Sequence, residues 1–225
     1  MILSPMRPVA LVEGLTLPAQ NKTMLDKLFG ARNPAKDTAP ELMNPKQRMR
    51  AIEGSSAAEL AAKLLMAPTA LMQLSHSDAL TVVSYMRPMK IPMGTMFIKE
   101  GDATDTGYML LLLEGEVTVE NIVVSRTTPV TVTVLGPGSL IGELGLVDGQ
   151  ARQASCTASS DSRCAVLSRA ALEKLSKEHP GTAAKLMLAV SMRIAERLRD
   201  TADKLRMYSQ LVQAMQQEID HLLPT

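Results

Sequence analysis

Between residues 90 and 168 the chain is cut repeatedly by turn signals: Pro92-Met93-Gly94, Glu100-Gly101-Asp102, Glu114-Gly115-Glu116, Gly136-Pro137-Gly138, Asp148-Gly149 and Ser160-Asp161. Short β-rich runs lie between them, at 95–99, 108–113, 117–124, 131–135, 154–158 and 164–167. Many short strands punctuated in this way predict an all-β sandwich or jelly roll. The run at 108–113 is apolar nearly throughout. It is far too short to span a bilayer and suits a strand buried on both faces.

Residues 141–158, IGELGLVDGQARQASCTA, interrupt this pattern with a turn, one helical turn, a loop and a strand of small residues. Gly142 lets the backbone approach a ligand with no Cβ in the way. The residues after it leave N–H groups free at a short helix start, which favours an anion. Arg152 can offer two parallel donors to a phosphate, and Glu143 is an acceptor suited to a sugar hydroxyl. Together these groups would grip a small phosphorylated sugar. Arg152 taken alone reads better as an exposed loop residue; the surrounding stretch reverses that preference. If it points inward, an enclosed guanidinium without an anion costs several kcal/mol, so an internal acid or a bound anion is implied.

This stretch closely resembles the phosphate-binding cassette of cyclic-nucleotide-binding domains, in particular the bacterial cAMP receptor protein family. The resemblance covers about residues 74–212. It includes the segment Gly94-Thr95-Met96-Phe97-Ile98-Lys99-Glu100-Gly101-Asp102 and the step Leu113-Glu114-Gly115-Glu116-Val117. It implies a nucleotide-enclosing barrel, with Glu143 on the ribose 2′-hydroxyl and Arg152 on the cyclic phosphate. Many members carry Ser, Thr or Ala directly after the arginine, where this chain has Gln153. That departure bears on base preference.

From residue 169 the pattern is helical. Ser168 can cap a helix over 169–177, Glu178-His179-Pro180-Gly181 breaks it, and a long helix follows to about Leu223. Ile194, Leu198, Thr201, Leu205, Tyr208, Val212, Met215, Ile219 and Leu222 are spaced alternately four and three apart. This heptad seam predicts a parallel two-stranded coiled coil across a two-fold axis. In the cAMP receptor protein family the equivalent helix carries a Thr-Ser pair that reads the adenine amino group. The resemblance places Thr201 on the Thr, while Ala202 replaces the Ser. Thr201 reads equally as a polar residue that fixes register. The candidate ligand-binding set is therefore Gly142, Glu143, Leu144, Arg152, Gln153, Ala154 and Thr201.

Upstream, residues 1–54 are proline-rich and more basic than acidic, which predicts a flexible segment with one weak helical turn at 21–30. The piece Arg48-Met49-Arg50-Ala51-Ile52 faintly resembles a kinase-inhibitor sequence, a match we read as chance. Residues 55–66 read as a helix capped by Ser55 or Ser56, with Leu60, Leu64 and Leu65 inward. A second helix reads over 77–86, with Leu74, Leu80 and Val83 inward.

Charge is nearly balanced, with 24 basic and 23 acidic residues, and aromatics make up 2%. Neither a basic field for nucleic acid nor a base-stacking platform is indicated. Two cysteines and three scattered histidines give no metal spacing. Cys156 and Cys164 read as reduced thiols on neighbouring strands, and no catalytic constellation or Walker pattern occurs. No signal peptide is seen, so a cytoplasmic location is expected. No recognition helix follows the long helix before Thr225, so direct DNA reading is not expected.

The expected architecture is α+β: a β jelly-roll cyclic-nucleotide-binding barrel flanked by N-terminal helices and a long C-terminal dimerisation helix. Its parts are a flexible segment (1–54), a helical lead-in with the barrel (55–168) and C-terminal helices (169–225). The expected function is a non-enzymatic, cofactor-free cytoplasmic receptor for cAMP, or secondarily cGMP. It would be a homodimer that signals to an unidentified protein partner, with no direct nucleic-acid or membrane contact. The alternatives are a dimeric scaffold with a degenerate pocket, favoured by Gln153 and Ala202, or a regulator acting through a separate DNA-binding subunit.

Overall fold

A computed structural model describes residues 43–68, 70–71, 74–121 and 130–222. Two four-stranded antiparallel sheets form a β-roll. One has the order β1 (Arg87–Ile91), β8 (Ser162–Ser168), β3 (Tyr108–Glu114), β6 (Leu140–Ile141). The other has the order β2 (Met96–Ile98), β7 (Ser155–Ala158), β4 (Val117–Asn121), β5 (Val130–Leu135). Helices α1 (Pro45–Ile52), α2 (Ser56–Leu65) and α3 (His76–Val83) precede the roll. The short α4 (Glu143–Asp148) lies within it, and α5 (Arg169–Glu178) and α6 (Pro180–Leu222) follow.

β3 shows how the two layers share one strand. Its residues 109–113 are all buried, as expected of a continuous apolar run. Leu110 and Leu112 face the roll interior with Ile91, Phe97, Val117 and Val166. Met109, Leu111 and Leu113 face the other way, into a core built with α2, α3, α5 and the start of α6. Burying each leucine contributes about 2 kcal/mol. Cys156 on β7 and Cys164 on β8 are both buried free thiols in the roll interior. They belong to different sheets and not to neighbouring strands, and burial pushes both up to about 12.

Several boundaries differ from expectation. Two strands appear that the turn pattern did not reveal, β1 and β6. β1 carries Pro88 and Lys90 and is an edge strand, where a residue without an N–H is tolerated. On α2 the buried face is Ala58, Ala61, Ala62 and Leu65, with Leu60 only partly covered. Small side chains there let α2 lie close to its neighbours.

Most of the expected flexible segment, including 21–30, lies outside the described residues. Residues 45–52, however, form a helix with a capping box. The Asn44 side chain accepts from the Gln47 N–H at 2.9 Å, and Gln47 Oε1 accepts from the Asn44 N–H at 3.1 Å. Pro45 fits the first turn, where no N–H is needed. The boundary at 54 thus falls too late, because Pro45 opens a helix instead of breaking one.

α6 is a single helix of 43 residues, roughly 65 Å long. Its first turns are buried through Ala183, Leu186, Ala189 and Val190, with Ile194 packed against the same core. Beyond that it leaves the body, and Leu198 and Leu205 are 68% and 66% exposed. None of the helices among the described residues is long and apolar enough to cross a membrane.

Asp78 fastens the root of α6 to α3. It accepts from Lys185 Nζ at 2.7 Å, Thr182 Oγ1 at 2.9 Å and Ser75 Oγ at 2.6 Å. The Lys185 and Ser75 hydrogen bonds hold its carboxyl well below the usual carboxylate range. A folded-state value below the unfolded one stabilises above pH about 4, and that stabilisation is lost as pH falls further. Asp78→Asn should therefore cost about 1–2 kcal/mol at pH 7. The gap from wild type should close below pH 4 in thermal melts; a gap that stays constant to pH 2 would refute the assignment.

Candidate functional site

Gly142 ends β6 in a left-handed conformation, φ +80°, and starts α4. Gly149 ends α4 in the same conformation. The loop then carries Arg152, whose backbone is pinned on both sides by the β2–β3 connection. Its N–H donates to the Asp102 carbonyl at 2.9 Å, and its carbonyl accepts from the Gly101 N–H at 2.8 Å.

The side chain of Arg152 turns inward and is 6% exposed. Its Nη1 donates to the Gly142 carbonyl at 2.9 Å, and its Nη2 lies 3.2 Å from both the Asp105 and Tyr108 carbonyls. The guanidinium carbon sits 4.4 Å over the Tyr108 ring, a cation–π contact. Carbonyl dipoles and a ring face stand where a counter-charge would be expected. Among the described residues its Nε has no hydrogen-bond partner, a buried donor left unsatisfied at a cost of about 1–3 kcal/mol.

The two glycines beside it explain why the guanidinium fits. A Cβ on Gly142 would lie 2.6 Å from Nη1, and one on Gly145 would lie 2.8 Å from both Nη1 and the Thr106 carbonyl. Gly145 has no positive φ, so it is required there for space alone.

Glu143, at the first position of α4, is 2% exposed. One carboxylate oxygen accepts from Nη1 of Arg197, which reaches down from α6. Burial pushes the Asp105 carboxyl up, opposed by Arg152. Burial likewise carries the Tyr108 phenol to about 12.

Of the expected site residues, Gly142, Glu143 and Arg152 converge around α4, and Gly142 touches Arg152 directly. Leu144 is half-buried on α4, Gln153 is exposed, and Ala154 is half-buried just before β7. Thr201 is not part of this cluster. It is exposed on α6 and donates to the Arg197 carbonyl at 2.8 Å. Three participants were missed: Tyr108, Asp105 and Arg197. Arg197 carried a usable signal, since it stands four residues before Thr201 and therefore faces the same way. A groove of about 300 Å³ lies elsewhere, between Pro68, Leu71 and α6. It contains none of these residues.

Residues 88–179 match the cyclic nucleotide-binding domain family. A cyclic nucleotide-gated potassium channel of Rhizobium etli is 27% identical over 140 residues, covering 62% of this chain and 34% of the channel. The chain thus spans about a third of the length of that relative. Among solved structures, a cyclic nucleotide-binding domain from Methylobacillus flagellatus is 29% identical, with TM-score 0.58 over 67% of this chain and 83% of that one. The catabolite activator protein of Thermus thermophilus is 26% identical, with TM-score 0.54 over 65% of this chain and 63% of that one.

The crowding at Gly145 is testable without any ligand. Gly145→Ala should destabilise the protein by about 1–3 kcal/mol through overpacking, read from urea unfolding. Wild-type stability would show that the guanidinium does not hold this position.

Proposed function

We propose that this chain, whose residues 88–179 match the cyclic nucleotide-binding domain family, is a cytoplasmic cyclic-nucleotide receptor, with cAMP ahead of cGMP. The observation that carries this reading is the orphaned Nε of Arg152, a buried cationic donor with no acceptor among the described residues. A cyclic phosphate oxygen supplies that acceptor and a negative charge in direct contact. Gly142 leaves room for the phosphate, Leu144 and Ala154 contribute backbone and wall, and Gln153 faces solvent beside the ligand. Glu143 takes the ribose 2′-hydroxyl while keeping Arg197; a carboxylate has lone pairs enough for both. The phosphate is held and not cleaved.

The second part of the proposal concerns α6. The seam residues Leu198, Leu205, Tyr208, Val212, Met215, Ile219 and Leu222 are all exposed, and their four-three spacing suits a second copy of the same helix. Pairing two copies brings Thr201 under cover, where its hydroxyl meets the base. A ligand shifts only an equilibrium whose states it binds differently. Glu143 and Arg197 give it that purchase, because the ion pair joins the pocket to the seam-bearing helix. The output goes to a protein partner.

A scaffold with a silent pocket is the second reading. The observation favouring it is the same ion pair, since Arg197 already satisfies Glu143 without a ribose. Calorimetric titration with cAMP, cGMP and 5′-AMP separates the two. We expect a cyclic nucleotide to bind, and Arg152→Ala to weaken it at least 100-fold, about 2.7 kcal/mol. No heat with any of the three, from protein first freed of bound small molecules, would favour the scaffold. Unchanged affinity in Arg152→Ala would remove the pocket assignment.

The seam is tested separately. Leu205→Asp puts two carboxylates face to face and should convert a sedimenting dimer to a monomer. A wild-type chain that is monomeric at tens of micromolar, or a variant that stays dimeric, would refute the coiled coil.

A further inference from the structure

Arg48 is the most buried charged residue described, at 1% exposure, and it belongs to α1, outside the matched domain. Its guanidinium lies 4.0 Å over the Tyr85 ring, donates to the Tyr85 hydroxyl at 2.8 Å, and pairs with a carboxylate oxygen of Glu178. It also donates to the Met43 carbonyl, which accepts from Lys174 Nζ at 2.9 Å as well. Tyr85 donates to the same Glu178 oxygen at 2.5 Å. Arg48 is fully buried while Glu178 is only partly so, and a pair of this kind is a weak source of stability compared with apolar packing.

Glu178 is the last residue of α5, and Arg169 is the first. Arg169 is tied to the candidate pocket. Its N–H donates to the Gly107 carbonyl at 2.7 Å, and its Nη2 donates to the Gly145 carbonyl at 3.0 Å. Gly145 is the residue against which the Arg152 guanidinium is pressed. α5 is thus a ten-residue rod, about 15 Å long. One end holds the anion-binding turn and the other holds α1.

We infer that nucleotide binding and the docking of α1 are positively linked through α5, with Arg169 as the positioning residue at the pocket end and Arg48–Glu178 as the latch at the far end. This rests on the nucleotide reading. A ligand that immobilises Arg152 and α4 immobilises Arg169, and through it the far end of α5. The ordering cost of seating Arg48 is then already partly met. By reciprocity, a seated α1 raises nucleotide affinity by the same factor. Residues 1–44 are thereby attached to an element whose order reports the state of the pocket.

Hydrogen exchange of the full chain with and without saturating cAMP or cGMP tests this, together with calorimetry of Arg48→Met. We expect the ligand to protect 142–152 and to slow exchange across 45–52 at least threefold. Arg48→Met should weaken affinity at least threefold, although Arg48 touches no pocket residue, and should abolish the slowing at 45–52. Protection of 142–152 with 45–52 unchanged or faster overturns the linkage alone, as does wild-type affinity in a folded Arg48→Met. No protection at 142–152 with either ligand overturns the nucleotide reading and the linkage with it.

Discussion

One guanidinium held out of water organises this structure. An isolated buried cation costs several kcal/mol, and the fold meets that cost with Arg152 by surrounding it with three carbonyl oxygens and an aromatic face. Those groups come from two separated parts of the chain, Asp105 and Tyr108 on one side and Gly142 on the other. The carbonyls belong to the connection before β3, to the first residue of β3 and to the glycine that closes β6. The loop between β2 and β3, the strand and the α4 turn are therefore registered against one another by a single side chain. The arrangement leaves Nε without a partner among the described residues.

Two further arginines extend the same logic outward. Arg197 brings α6 to Glu143, and Arg169 brings α5 to the carbonyl of Gly145. Neither reaches the Arg152 guanidinium, yet both are held by the six-residue helix that packs against it. Each C-terminal helix is thus tied to α4 by one arginine.

Much of the roll was legible in the sequence, because turn residues and β-rich runs alternate where strands and connections fall. β1 was not legible: Pro88 and Lys90 are ordinary on an edge, and edge position is a property of the assembled sheet. α1 was legible in principle. Asn44-Pro45-Lys46-Gln47 is a capping box written out, but the surrounding prolines made the segment look broken. Burial of α2 on its alanines follows from close helix approach, which no local pattern reports. In the site, Gly142, Glu143 and Arg152 stood out through their chemistry. Tyr108 and Asp105 did not, since their contacts to residues 142–152 cross large sequence distances, and Arg197 was signalled only by its spacing from Thr201. The cage around Arg152 uses mostly main-chain oxygens, which every residue possesses and no motif can advertise.

The proline on β1 has one more consequence. The first sheet ends on one side at a strand that lacks an N–H at Pro88 and turns Lys90 to solvent, and on the other at a strand of two residues. Neither border offers the unbroken row of donors and acceptors that lets a foreign strand add on. That sheet is closed to fibre-like growth, so a chain whose long helix exposes an apolar seam is spared a second adhesive surface there.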